Sequence, residues 1–491
     1  MGEDVSSTTF TLEDNLRYRQ KLRRCLDVLR LMLDDLRFDS DSLKTGLEVE
    51  VNIVDNDTQP AMRNAEILQA FANPTFQREL GRFNLEINVP PRLIDGEGLS
   101  DYEHFLRSSL AMADEYAHHV DACLVLIGIL PTLTESHTVL ANLSPVPRYL
   151  VLNREIIEAR GGNIDIEIAG QERLAVRTDS IGPEAACTSV QFHIQVPADR
   201  FANYWNASQA LAGPQVAVGS NSPFVFGRRL WDETRIALFE QAADTRSEEH
   251  RTQGVRPRVW FGERWITSTS ELFEENLRYF PPLLPLLDDE DPVEVFRSGG
   301  IPRLPELRLH NGTVYRWNRP VYDIMNGRPH LRVENRVLPA GPAVCDMLAN
   351  AAFYFGLTRA LAEADDPVWN HMSFPIAAQN FRRGAEHGLR ALTWWPGVGE
   401  VPVAGLIRDV LLPLAAEGLD RFGTAVAVRD RLLGIIEGRC TTGRTGAVWQ
   451  TETVAALERG GRTRREALAE MLRRYMSLMH TNAPVHTWPV G

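Results

Sequence analysis

The stretch Gly46-Leu47-Glu48-Val49-Glu50-Val51-Asn52-Ile53-Val54 alternates apolar and polar side chains residue by residue. That period of two marks a strand with one face in a core and the other outside it. The polar positions are unusual, because Glu48 and Glu50 put two carboxylates on one face where Thr, Lys or Arg would be ordinary. Three later stretches do something similar. Arg82 to Val89 carries Glu86 and Asn88 on one face, Thr188 to Val196 carries Gln191, His193 and Gln195, and His330 to Arg336 carries Arg332, Glu334 and Arg336.

A single Glu-x-Glu is usually a solvated face, so the argument rests on four such strands in one chain. If their polar faces line one cleft, it holds several carboxylates, amides and an imidazole, with arginines at one side. Closely placed carboxylates repel unless a cation sits between them. Oxygen-rich clusters suit Mg²⁺ or Mn²⁺, with about six ligands at roughly 2.1 Å for Mg²⁺. Arginines beside such a cluster suit a phosphoryl group in transfer. Spacing alone leaves both readings open, a metal cleft and a wet sheet face.

Around these strands the pattern predicts a helix over 12–38, with Leu22, Leu26, Leu29, Leu33 and Leu36 forming one stripe. Pro90-Pro91 should stop the second strand. Ser100 and Glu103 read as a capping box, opening a helix that buries Tyr102, Phe105, Leu106, Leu110 and Ala113. Cys123 to Ile129 and Asn163 to Ala169 read as strands. Helical stretches at 200–212 and 231–243 flank the turn Ser220-Asn221-Ser222-Pro223, and 281–305 reads as a surface excursion. Leu307 to His310 and Thr313 to Trp317 look strand-like, and from Pro342 to about His480 the pattern is mostly helical. The order indicates an α+β chain on a mainly antiparallel sheet. Residues 1–395 would form the unit with the strands, and 396–491 a helical region packed on it.

Composition narrows the chemistry. The 491 residues carry a net charge of −13, which argues against nonspecific nucleic-acid binding. Only Lys21 and Lys44 are lysines, so 50 of the 52 basic residues are arginine. A coding habit of the genome is sufficient cause, but the consequence is chemical. A Schiff-base lysine, a P-loop lysine and a kinase-type strand lysine are absent beyond position 44. Five widely spaced cysteines without a C-x-x-C argue for a reducing cytoplasm and against a disulfide framework or structural zinc. The acidic opening segment does not read as a signal peptide. The longest apolar run, Ala122 to Leu130, is far short of the ~20 residues a membrane span needs.

With these residues in hand a resemblance can be stated. Gly46-Leu47-Glu48-Val49-Glu50 resembles the first-strand G-x-E-x-E of the glutamate–cysteine ligase superfamily, in particular the bacterial carboxylate–amine ligases of its second family. Cys187-Thr188-Ser189-Val190-Gln191 resembles its T/S-V-Q strand. Ser220-Asn221-Ser222-Pro223-Phe224 with the following Arg235 is similar to its N-S-P-F turn and arginine-bearing helix. Glu334 and Arg336 match its E-x-R strand, and Asn380-Phe381-Arg382-Arg383-Gly384 with Gly388-Leu389 is similar to a later segment. The matches keep family order from about 46 to 390.

The resemblance implies a glutamine-synthetase-like fold, a curved antiparallel sheet forming a funnel with ATP and divalent metals on its concave face. It implies an ATP- and Mg²⁺- or Mn²⁺-dependent ligase that makes an acyl phosphate and then an amide, with glutamate and cysteine as default substrates. Glu48, Glu50, Glu86 and Glu334 would hold metal. Gln191, His193 and Arg332 would lie near metal or nucleotide, Arg336 would bridge the phosphoryl group, and Glu50 would share in catalysis. Arg235, Asn221 and Asn88 would touch substrate. Arg316 and Arg319 are either nucleotide or acid contacts or arginines stacked in a hairpin. Cys440 to Gly446 is a candidate loop over the nucleotide, and Arg462 to Arg474 a solvated helix face. A small-molecule phosphotransferase of related fold and a non-catalytic ATP-binding homologue are the alternatives. Partners are small molecules, without nucleic acid or membrane; oligomeric state stays open, a homo-oligomer included.

Overall fold

The computed structural model describes residues 9–35, 37–39 and 43–490. The first eight residues of the opening segment, and Leu36 of the predicted leucine stripe, lie outside the described residues.

The first long strand, β1 (Thr45–Asp55), is the axis of a seven-stranded sheet. The others are β2 (Phe76–Arg78), β3 (Asn84–Arg92), β4 (Ala122–Val125), β5 (Ser189–Val196), β6 (Asn318–Met325) and β7 (Arg328–Pro339). The order is β6-β7-β5-β1-β3-β2, and every pairing in it is antiparallel. One edge of β1 is shared: Thr45 to Val49 pair with β5, and Asn52 to Asp55 with β4. The sheet curls into a half-barrel, as the resemblance implies, with one polar and one apolar face.

The apolar face carries Leu47, Val49, Val51, Leu85, Ile87, Phe192, Ile194 and Val333, all buried. Two helices cover it, Phe201–Gly219 and Val344–Ala362, each buried at nearly every position. Phe192 stacks on Tyr354 at 5.7 Å and meets Phe355 edge-on at 5.8 Å. One polar exception is Asn335. Its Oδ1 accepts from Gln215 Nε2 at 2.7 Å, and its Nδ2 donates to Asn318 Oδ1 at 2.7 Å. Asn318 Nδ2 donates onward to Gln209 Oε1 at 2.7 Å. This amide ladder fixes helix Phe201–Gly219 against the strands that carry Glu334 and Arg319. The main buried core runs from Tyr18 to Trp488, so the C-terminal helices share it, and Trp260, Phe280 and Val314 form a small second cluster. Among the described residues no helix is long and apolar enough to cross a membrane.

Several local expectations fail for identifiable reasons. Leu307 to His310 lies in a helix, Pro305–Asn311, which Pro305 opens in the first turn. Strand β3 runs through Pro90-Pro91 to Arg92, because the register of β1 shifts there and leaves room for proline. Helix Gly98–His118 starts two residues before Ser100 without a side-chain cap, and Glu103 instead pairs with Arg431 and accepts from Asn482, both at 2.8 Å. The helical C-terminal part is interrupted by a hairpin of Leu392–Trp395 and Gly399–Pro402.

Replacing Asn335 by alanine leaves the buried amides of Gln215 and Asn318 short of a partner. The expected cost is roughly 1–3 kcal/mol. It is read as a lower urea midpoint at unchanged m value; an unmoved midpoint would mean that the ladder adds no net stability.

Candidate active site

Strand register brings the predicted side chains together. Glu50 of β1 lies directly opposite Glu86 of β3, and Glu48 opposite Asn88. On the other edge Glu48 faces Gln191, and one strand further His193 faces Glu334 and Gln195 faces Arg332. Arg319 of β6 is opposite Glu334. Directly opposed residues of antiparallel strands share a face, so all of these project from the concave side.

Hydrogen bonds give each carboxylate its own partners. Glu50 accepts from Ser189 N at 2.7 Å, Ser189 Oγ at 2.9 Å and Gln191 Nε2 at 3.1 Å. Glu86 accepts from Asn88 Nδ2 at 2.8 Å. Arg332 Nε donates to His193 Nδ1 at 3.2 Å, which leaves Nε2 of that ring facing Glu48 Oε1 at 3.3 Å. Glu334 lies 2.8 Å from Arg319 Nη2 and 2.9 Å from Arg336 Nη1, and Arg336 also donates to Gln191 Oε1 at 2.9 Å. Arg332 is further held by Asp323 at 3.1 Å.

Arg336 owes its aim to a β-bulge. Asn335 pairs with Phe192 but Leu338 with Val190, so β7 holds one extra residue there. Arg235 props this bulge from behind. Its Nη2 donates to the carbonyls of Arg336 and Val337, and its Nε pairs with Glu233 at 3.1 Å. Arg235 is 2% exposed and its guanidinium lies over Trp317. Arg235 was expected to grip a substrate carboxylate; the structure commits its Nε and Nη2 inside the protein, where they position Arg336. Asn221 is corrected likewise. It donates to Ala340 O and Tyr475 Oη, both at 2.8 Å, and accepts from Gln450 Nε2 at 2.8 Å, with no exposed surface. Arg316 is buried against Glu275 at 2.9 Å and over Trp260, outside the site, whereas Arg319 is in it. Cys440 to Gly446 does not cover the sheet: Thr445 caps the next helix and accepts from Ser220 Oγ at 3.0 Å.

Two glutamates were missed. Glu79 follows β2 two residues after Gln77, itself opposite Glu86, so alternation puts it on the same face. Three residues make β2 too short for a periodic signal. Glu184 lies in the short turn Gly182–Ala186 that enters β5; no repeating pattern marks such a residue, although it stands seven positions before Gln191.

The charges are unevenly balanced. Burial raises the Glu48 carboxyl, but His193 outweighs it and holds the group at about 2. Burial also opposes ionisation of Glu334, yet Arg319, Arg336 and His193 keep it well below the usual carboxylate range. Burial raises Glu50 despite Arg336 and Ser189. Burial and the charge of Glu48 push Glu86 up to about 7, and burial with Glu86 and Glu50 pushes Glu79 well up. Burial takes Glu184 to about 7. The Glu334 end of the face is thus neutralised by arginine, and the Glu50–Glu79–Glu86 end holds more carboxylate than the protein compensates.

That donor set suits a hard divalent cation, which takes carboxylate oxygens and retains waters or phosphate oxygens. Among the described residues no three His, Cys, Asp or Glu groups already close around a common point. The carboxylates are instead drawn to Ser189, Asn88, His193 and the arginines, so a metal would have to draw them from these partners.

Comparison with known proteins agrees with this architecture. A family model, glutamate–cysteine ligase family 2, matches residues 44–473. The glutamate–cysteine ligase of Francisella tularensis, solved in complex with AMP, is similar with a TM-score of 0.56 and 12% identity, over 93% of this chain and 91% of that one. A bifunctional glutathione synthetase from Pasteurella multocida is similar with a TM-score of 0.51 and 11% identity, over 93% of this chain and 55% of that one. At such identities these likenesses speak for the fold. No curated protein sequence matches the chain.

The proton on Glu86 gives a test. Its folded value of about 7 stands above the ordinary 4.5, so folding is favoured while the proton is held. This contribution is full below about 4.5 and is lost as pH rises through about 7. Glu86→Gln removes the loss. In chelator-treated protein, the stability of this variant relative to the unaltered chain should rise across that window by on the order of 1–3 kcal/mol. A flat difference in urea unfolding would refute the shift.

Proposed function

The chain belongs to glutamate–cysteine ligase family 2, a family of carbon–nitrogen ligases, and from that premise we propose that it joins a carboxylate to an amine using ATP, with Mg²⁺ or Mn²⁺ on the concave face. Glutamate and cysteine are the default pair. One observation carries the reading: register sets Glu50 against Glu86 and Glu334 against His193 on one curled face, with Arg336 aimed beside them.

In this proposal Glu48, Glu50, Glu86, Glu334 and the added Glu79 hold the metal. The ion would draw phosphate oxygens and the reacting carboxylate together and offset their charge. Arg336 stands at the phosphoryl group. It is fixed by the bulge, by Glu334 and by Gln191, so its charge needs no reorganisation as the phosphoryl moves. Arg319 and Arg332 flank it, and Asn88 orients Glu86. A carboxylate oxygen of the acid attacks the γ-phosphorus, the bond to the ADP oxygen breaks, and an acyl phosphate remains. The amine nitrogen then attacks the acyl carbon, and phosphate leaves with the bonding electrons. Arginine does what lysine does in P-loop enzymes, as a chain with no lysine beyond Lys44 requires.

The AMP bound in the Francisella tularensis relative supports a nucleotide as a ligand of this chain. Residues 396–491 serve as helical support for the unit formed by 1–395, through Gln450 and Tyr475 at the Asn221 turn. Five free cysteines fit a reducing compartment such as the cytoplasm.

The test is incubation with ATP, Mg²⁺, glutamate and pooled amino acids, reading ADP, phosphate and amide by mass spectrometry. Amino-acid-dependent ADP release with an amide product is expected; ADP release with a phosphorylated product would instead identify a kinase. Glu334→Gln should lower turnover by about 10²–10³-fold with the circular dichroism spectrum retained. Near-normal turnover in that variant would overturn the site assignment.

A further inference from the structure

We propose that the cleft between the first helix and helix Thr269–Tyr279 binds a small anion with an aromatic body, of the aryl carboxylate, sulfonate or phosphate class. The inference does not depend on the ligase reading, because the cleft is lined by residues between 19 and 30 and between 274 and 282, away from the strands of the large sheet.

The cleft has a volume of about 590 Å³, within the roughly 300–1,000 Å³ of small-molecule sites. One wall is the first helix, Leu12–Asp34. The other is helix Thr269–Tyr279 with the Phe280 to Pro282 segment that follows it. Arg30 of the first helix reaches Glu274 of the second at 2.8 Å and ties the walls together. Leu22, Leu26 and Phe280 line the cleft while staying buried, so they form its floor. The aromatic part of the lining is held from behind. Trp260 meets Phe280 edge-on at 6.0 Å, and the Arg256 guanidinium lies 3.6 Å from the centre of the Tyr279 ring.

The charged lining is out of balance. Four arginines, Arg19, Arg23, Arg30 and Arg278, stand against two carboxylates, Asp27 and Glu274. Both carboxylates are already engaged. Arg30 lies 3.3 Å from Asp27 and 2.8 Å from Glu274, and Arg278 lies 3.1 Å from Glu274. Arg19 and Arg23 are exposed, and among the described residues neither makes an ion pair or a hydrogen bond. Arg19, Leu22, Arg23 and Leu26 recur at three and four residues, so the two free cations share one helix face with the apolar floor. Like charges four residues apart on a helix repel, and in a chain of net charge −13 an uncompensated pair of cations is an exception.

An anionic group between these guanidiniums meets both with charge-assisted, two-pronged hydrogen bonds. Its ring then covers Leu22, Leu26 and Phe280 beside Tyr279. An inorganic anion would leave that floor wet, and a neutral arene would leave the arginines without a partner. The lining therefore asks for both parts in one molecule.

Isothermal titration of the full chain with naphthalenesulfonate tests this, beside naphthol and inorganic sulfate, each of which carries one half of the ligand. One saturable site is expected for naphthalenesulfonate, weakened by added KCl, with naphthol and sulfate each binding at least about tenfold less tightly. The double variant Arg19→Ala, Arg23→Ala should lower the affinity by about 10–100-fold with its circular dichroism spectrum retained, since both side chains are exposed. Arg336→Ala should leave the affinity unchanged. No saturable binding at millimolar ligand, equal binding of sulfate alone, or undiminished affinity in the double variant would overturn the proposal. Loss of binding in Arg336→Ala but not in the double variant would put the anion on the concave face and overturn it too. If the cleft takes no ligand and the double variant instead changes the oligomeric state of the chain, the cleft is a contact between copies and the proposal fails.

Discussion

Glu50 and Glu86 face one another across two paired strands, and this apposition of like charges organises much of the molecule. Directly opposed like charges destabilise a sheet. Elsewhere on the same face the protein answers with basic side chains: Arg319 and Arg336 on Glu334, and the His193 ring beside Glu48. At the Glu50–Glu79–Glu86 end it does not, and burial leaves those carboxyls reluctant to ionise. This uneven balance is what the proposed cation would answer.

Holding such a face open demands stiffness behind it. The bulge that aims Arg336 is braced by Arg235, itself paired with the fully buried Glu233, which also accepts from the Asn221 backbone N–H at 2.9 Å. Asn221 passes the support on to Gln450 and Tyr475, and Arg439 pairs with Asp346 at 2.7 Å, both fully buried. Losing one partner of such a pair leaves an uncompensated buried charge, typically worth about 3–5 kcal/mol. The C-terminal helices thus bear on the aim of Arg336.

Sequence reading succeeded where periodicity reports burial and failed where it does not. The strands of Glu48, Gln191 and Glu334 alternate over seven or more residues and were found with their polar faces. Leu307 to His310 was misread because four residues cannot separate a strand from a helical turn. Asn221 was read as a substrate contact because an asparagine near a motif looks alike whether it faces a ligand or a carbonyl. Only burial and the partner atoms distinguish the two. Glu79 escaped because β2 is too short to show a period.

By itself the sequence determined which residues share a face, since that follows from the two-residue repeat of an extended chain. It also determined that any phosphate handled here must be neutralised by arginine, backbone N–H groups or a metal, since lysine is absent beyond Lys44. The tertiary structure decided which faces meet, because strand order and register depend on how β1 is flanked by β3 and β5, segments far apart along the chain. It likewise decided which polar residues are left with unanswered charge. That depends on what packs around each one, and no local pattern encodes it.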